Sequence, residues 1–133
     1  MATDSRRLRR LLDLQGKLKA VHEMRRADYT AKAVAAGKEA AELFAEMGDP
    51  ESFSRLFPDL YVRAVRTALA REHHFKEKAR QEAVAVATQT ARTNMVEDAW
   101  RSARRQEERK EQEKETLETV ERQFHAGMAR SRD

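Results

Sequence analysis

Met47-Gly-Asp-Pro-Glu-Ser-Phe-Ser-Arg-Leu-Phe-Pro-Asp59 is the stretch that decides the fold, because both prolines of the chain and one of its four glycines fall inside it. Pro50 and Pro58 lack an amide hydrogen, and each biases the residue before it away from helix. Gly48 can terminate a helix by taking positive φ without steric cost. Two readings of Pro58 stand side by side. It opens the second helix at its first position, where no amide partner is needed, or a short helical turn over Glu51 to Leu56 lies between the two helices.

Outward from this break the sequence offers little except helix. Residues from about 5 to 47 contain no proline and mostly good helix formers, and so do residues from about 59 to 128. At about 1.5 Å per residue these helices run to about 65 Å and about 100 Å, too long for a compact domain and typical of a coiled coil. One short break between two long helices favours doubling back over a straight continuation. The sequence therefore predicts an all-α fold: two long helices in an antiparallel coiled-coil hairpin, the second longer and overhanging. Residues 1–133 make a single elongated domain with the break at 48–58.

Apolar spacing predicts the seam. Leu11, Leu14, Leu18 and Val21 step by three and four, the heptad rhythm that puts side chains on one helix face. The pattern then slips to Met24, Ala27, Ala31 and Val34, like a stammer, and widens at Ala40, Ala41, Leu43 and Phe44. In the second helix it restarts with Tyr61, Val62, Val65 and Leu69. Ala79, Ala83 and Val86 continue it, followed by Val96, Ala99, Trp100 and Ala103. A fold-back centred near residue 53 sets Leu18 beside Thr88, Leu11 beside Met95 and Leu8 beside Asp98. Residues beyond about 106 then have no partner in the first helix. They begin with the charged run Arg104-Arg-Gln-Glu-Glu-Arg-Lys-Glu-Gln-Glu-Lys-Glu115 and end in a short apolar stripe, Leu117, Val120, Phe124 and Met128.

Composition excludes several kinds of function. The chain has no cysteine, which removes disulfides, thiolate metal sites and thiol nucleophiles. It has no run of about 18 apolar residues to cross a bilayer, and its opening, Met1-Ala-Thr-Asp-Ser-Arg-Arg, has no signal-peptide core. The expected location is cytoplasmic. His73 with Glu77, and Glu121 with His125, share helix faces, but each pair is half a metal site at most. No serine sits in a nucleophile turn and no glycine-rich loop could cradle phosphate. No cofactor and no catalytic residue are expected.

Three groups of residues stand out as candidate binding surfaces. Arg6, Arg7, Arg9 and Arg10 form a basic patch suited to an acidic partner; without aromatic stacking residues beside it, it lacks the platform of a nucleic-acid binder. Phe53, Leu56, Phe57, Leu60 and Tyr61 cluster at the fold-back. They either close the end of the hairpin as a small local core or form an exposed docking patch. Leu117, Val120 and Phe124 lie on the predicted overhang, where an oligomer or a partner helix would cover them.

The run Leu8-Arg-Arg-Leu-Leu-Asp-Leu-Gln15 resembles the opening of the FliJ family of flagellar export proteins. So does the layout: chain length, a central proline-containing break with aromatics, a longer second helix and a charged C-terminal part. Stalk proteins of virulence type III secretion systems are similar. The resemblance implies a hairpin like the rotor stalk of rotary ATPases, with no catalysis of its own. It would engage the hexameric export ATPase and the export gate protein, help pass export chaperones, and lie peripheral to the inner membrane through the gate alone. Arg6, Arg7, Arg9 and Arg10 would meet acidic loops of the ATPase ring. Tyr61, Val65, Ala68 and Glu72 are the counterparts of the family's gate-contacting positions, with Phe53 and Phe57 beside them. The family pattern ends in histidine, which here stands one position later, at His73, and Phe44 is the only candidate for the matching aromatics of the first helix. A general coiled-coil adaptor or chaperone that captures partner helices is the alternative.

Overall fold

In a computed structural model, residues 2–131 are described, and they form α1 (Ala2–Met47), a 3-10 turn (Phe53–Arg55) and α2 (Pro58–Ser131). Among the described residues there is no strand. The helices pack antiparallel as a hairpin, and the chain divides into two compact units. One is Gly16–Ala91, and the other combines Met1–Gln15 with Arg92–Asp133.

The unit Gly16–Ala91 contains the fold-back. Here His22 Nδ1 lies 2.6 Å from Glu82 Oε2, the Tyr29 and Phe75 rings stack with centroids 6.2 Å apart, and Arg71 Nη1 reaches Glu39 Oε2 at 3.3 Å. The first two pairs centre the fold-back on residue 52, next to the expected 53. The covered face of α1 carries Lys19, His22, Tyr29, Ala33, Ala36, Ala40 and Leu43. Opposite them lie Tyr61, Val65, Ala68, Glu72, Phe75, Ala79, Glu82, Val86 and Gln89 of α2. Both sets recur at heptad steps, so each helix keeps one side toward the other.

Alanine dominates what is most deeply covered. Ala33, Ala36, Ala40 and Ala68 are exposed by 5% or less, and among the described residues no larger apolar side chain is buried to that degree. Small side chains let two helix axes approach toward the short end of the usual range of about 8–10 Å. Gly37 takes the approach furthest. The Glu72 carboxylate occupies the space that a Cβ on Gly37 would fill, with its Cδ 3.1 Å from that point. Glu72 stays charged-paired there, because Lys76 Nζ donates to its Oε1 at 2.7 Å.

This packing corrects the expected seam of α1. Leu18 and Val21 are each 41% exposed and Met24 and Val34 more so, while His22, one residue after Val21, meets Glu82 of α2. The slip after Val21 is also absent. A helix has a single phase, and the alanine column at 33, 36 and 40 sets it; seven-residue steps back from Ala33 and Ala36 fall on Tyr29 and His22, not on the apolar stripe. In α2 the expected positions Tyr61, Val65, Ala79, Ala83 and Val86 are covered at least in part, but Leu69 is exposed and Ala68 takes its place.

In the other unit, Ser5, Leu8, Leu12 and Gln15 face Thr93, Val96, Trp100, Ala103 and Glu107. Leu14, expected in the seam, is 53% exposed. Ser5 Oγ donates to Glu107 Oε2 at 2.7 Å, and the Ser5 N–H donates to Oε1 of the same carboxylate at 3.3 Å. Two guanidiniums approach the Trp100 ring, with Arg9 Cζ at 5.4 Å and Arg104 Cζ at 5.8 Å from its centroid. Leu8 shares a groove with Ala103, so it does not sit beside Asp98 as expected. Gln15 Oε1 is buried without a hydrogen-bond partner, a local cost of placing an amide in the seam. After Glu107 every described residue of α2 is exposed, so the overhang begins at 108, close to the expected 106.

Two substitutions separate seam from flank. Ala68→Leu should overpack the alanine layer and lower stability by about 1–3 kcal/mol. Leu14→Asp, at low protein concentration, should stay within about 0.5 kcal/mol of the parent, as surface changes do. Thermal melts followed by circular dichroism distinguish them. Equal losses would mean that Leu14 belongs to the seam after all.

Candidate functional site

The turn between the helices is held by its own hydrogen bonds, with the Ser54 hydroxyl buried among them. α1 ends without a left-handed residue, since among the described residues no glycine has positive φ. The expected left-handed termination at Gly48 is replaced by tightened bonds: the Gly48 N–H donates to the Ala45 carbonyl and the Asp49 N–H to the Glu46 carbonyl, both at 3.1 Å. Asp49 Oδ1 then accepts from the Glu51 N–H at 3.0 Å, which turns the chain. Ser52 caps the 3-10 turn, its hydroxyl accepting from the Ser54 N–H at 3.1 Å. Ser54 itself is 5% exposed and donates to the Glu46 carbonyl at 3.1 Å, tying the turn back onto the end of α1. The Phe53 carbonyl accepts from Leu56 and Phe57, and the Phe57 carbonyl from Tyr61, so α2 starts at Pro58 as one reading of that proline required. The short turn of the other reading is present too, over Phe53–Arg55.

This framework leaves the aromatic and aliphatic side chains outside. Phe53 and Leu56 are 71% and 70% exposed, and Phe44, Phe57 and Leu60 are exposed by more than half. Leu56, Phe57, Pro58 and Leu60 line a shallow groove whose polar edges are Asp59 and Arg63. The fold-back residues therefore do not close the end of the hairpin as a local core. Apart from half-covered Tyr61 they are exposed apolar side chains, with the exposed polar residues Glu46, Asp49, Glu51 and Arg55 on the same turn. Contiguous exposed apolar side chains with a polar rim are the mark of a protein-docking surface.

Of the residues matched to a gate contact, Phe53 and Phe57 are on this surface and the other four are not freely so. Tyr61 and Val65 are half-covered by the seam, Ala68 is 1% exposed against α1, and Glu72 lies over Gly37. His73 is exposed. The exposed apolar surface at the turn also includes Leu56 and Leu60. The inward Ser54 has no signal in the local sequence, because its hydroxyl reaches a carbonyl eight residues back.

The four arginines lie in the other unit. Arg6, Arg7 and Arg10 are exposed. Arg9 is held by Trp100 and by Asp13 Oδ1, 3.7 Å from its Nε, so it is the most constrained of the four. Leu117, Val120 and Phe124 are all exposed by more than half on the overhang. Among the described residues no three His, Asp or Glu side chains converge on a possible metal position. Comparison with protein-family models, with curated proteins and with solved structures finds no match for this chain.

Ser54→Ala should cost about 0.5–1.5 kcal/mol by removing the hydrogen bond that ties the turn to the Glu46 carbonyl, while Phe53→Ser should leave the melting midpoint unchanged. The reverse order in a thermal melt would mean that the ring, not the hydroxyl, holds the turn.

Acid should loosen the Ser5 end. The hydrogen bond from Ser5 Oγ, more than partial desolvation opposes it, holds the Glu107 carboxyl below its ordinary 4.5, helped by the Ser5 N–H and the Arg104 charge. A carboxyl lowered by folding contributes stability that is full above pH 4.5 and lost as pH falls through its folded value. Amide exchange over residues 5–12 should be slower in the parent than in Ser5→Ala at neutral pH, and the difference should vanish well below pH 4.5. A difference that persists in acid would contradict the assignment.

Proposed function

We propose that this chain is a non-catalytic coiled-coil stalk component of a type III protein export apparatus of the flagellar kind. It would engage the hexameric export ATPase ring through its arginine-bearing end and the export gate protein through the turn. The observation that carries the reading is the inverted turn: the Ser54 hydroxyl inside, Phe53, Leu56, Phe57 and Leu60 outside. A hairpin with a core of alanines has no need of such a turn for its own stability. The arrangement makes sense as a surface held out for another protein.

The work such a component does is mechanical and positional. Paired helices joined by a short turn can bias the conformations of ring subunits around them, and the ATPase supplies the chemistry. Arg6, Arg7 and Arg10 would steer encounter with acidic loops more than they would add affinity. No described helix is long and apolar enough to cross a membrane, so contact with the inner membrane would be made through the gate protein, from the cytoplasmic side. Export chaperones are further partners for the same apolar turn.

The exposed stripe of Leu117, Val120 and Phe124 favours a second reading, a general adaptor or chaperone that captures partner helices along α2. Titration into the cognate export ATPase separates the two. A stalk raises the hydrolysis rate saturably and promotes hexamers, and Arg6→Glu with Arg10→Glu removes most of the effect. An unchanged rate across the titration would count against the stalk and leave the adaptor.

A further inference from the structure

We infer that the overhang of α2 docks along α1 of a second copy of this chain, with Leu117, Val120 and Phe124 covering the exposed leucine face at Leu11 and Leu14. The inference goes beyond export and does not depend on it.

Four observations converge. First, the overhang has nothing of its own to pack against. Ser5 meets Glu107, and all described residues from 108 to 131 are exposed, although α2 remains helical to Ser131. A lone helix of this length is marginal in water, even with favourable ion pairs. Second, α1 has an apolar face left over. Leu11 and Leu14 are 38% and 53% exposed, three residues apart and beside the covered positions Leu8, Leu12 and Gln15. Leu11 also opens into the groove lined by Asp4, Arg7, Leu8 and Ala103. A helix with apolar residues on two adjacent heptad faces is suited to two neighbours at once.

Third, the charges match. Residues 108–121 hold six glutamates against three Lys or Arg, a net −3, while residues 6–10 hold four arginines and no acid. Two overhangs would repel each other at this segment, and an overhang beside the arginine-bearing start of α1 would not. This favours the helix end over a side-by-side pairing of overhangs. Fourth, the geometry closes. Set two hairpins with the Ser5 of one level with the Ser5 of the other, the starts of the two α1 helices side by side because α1 begins at Ala2. Each overhang then runs along the other copy's α1, in the same direction as that helix. Leu117 comes level with Leu14, and Glu111 and Glu113 come level with Arg7 to Arg10, by equal rise along both helices. The same contact is made twice about a two-fold axis, so two copies satisfy both faces and no filament grows.

The test uses the full chain, which lacks cysteine. Sedimentation velocity should show a concentration-dependent dimer that weakens with added salt. Leu14→Asp and Leu117→Asp should each weaken self-association by on the order of tenfold or more, with the helicity of the paired helices kept and only the overhang's share of the circular dichroism reduced. The decisive arm is a mixture. Leu14→Asp chains retain an intact overhang and Leu117→Asp chains retain an intact leucine face, so the two variants should associate with each other more tightly than either does with itself. Leu14→Cys mixed with Leu117→Cys should likewise oxidise to a disulfide-linked heterodimer. A parent chain that stays monomeric at every concentration, or a dimer indifferent to both aspartates, would overturn the inference. Because no ATPase is present, failure here leaves the export reading untouched, and failure of the export assay leaves the dimer untouched.

Discussion

Close approach of the two helices through small side chains is the constraint from which the rest follows. Ala33, Ala36, Ala40 and Ala68 are the deepest apolar side chains among the described residues, and Gly37 leaves the space that the Glu72 side chain fills. Short contacts of this kind gain dispersion over a long line but little apolar burial per residue, at roughly 25 cal/mol per Å². They also leave no room for a leucine in the same layer. The larger apolar residues are therefore displaced to the flanks, where they remain half in water.

The same constraint explains why polar residues occupy the seam. Once the alanines fix the phase of α1, the next positions on that face are Tyr29 and His22, and each has a compatible neighbour. Phe75 stacks on Tyr29 and Glu82 meets His22. At the Ser5 end, a hydroxyl and an amide N–H share one carboxylate. Such pairs add modest stability but high specificity, because a slip of one heptad strands each of them. The surface carries the binding potential instead: rings and leucines at the turn, leucines along α1, and the apolar stripe beyond Glu107.

The sequence made the two helices and the turn plain, because two prolines in one segment and none elsewhere leave few alternatives. It also marked the overhang, since the charge run begins where the partner helix ends. The seam of α1 was harder to read. Leu11, Leu14, Leu18 and Val21 are the most hydrophobic heptad in the helix, and hydrophobicity is the wrong guide when close approach selects alanine. Phase was set by Ala33, Ala36 and Ala40, whose small side chains carry little weight in a hydrophobic pattern. The turn was half legible: its aromatics were evident, their outward direction was not. That direction depends on Ser54 reaching the Glu46 carbonyl, a contact across eight residues that no local spacing announces. The tetrad of Tyr61, Val65, Ala68 and Glu72 shows the same effect in reverse, since its spacing is that of the seam and the seam is where it lies.

The pairing of His22 with Glu82 tests the fold most directly. In a chain without native cysteine, His22→Cys with Glu82→Cys places two thiols across the seam of the unit Gly16–Ala91. Mild oxidation at low protein concentration should give a cross-linked species at monomer mass, with little reaction for Leu18→Cys with Glu82→Cys. Rapid cross-linking through position 18, or disulfides at dimer mass alone, would contradict a hairpin whose phase is set by its alanines.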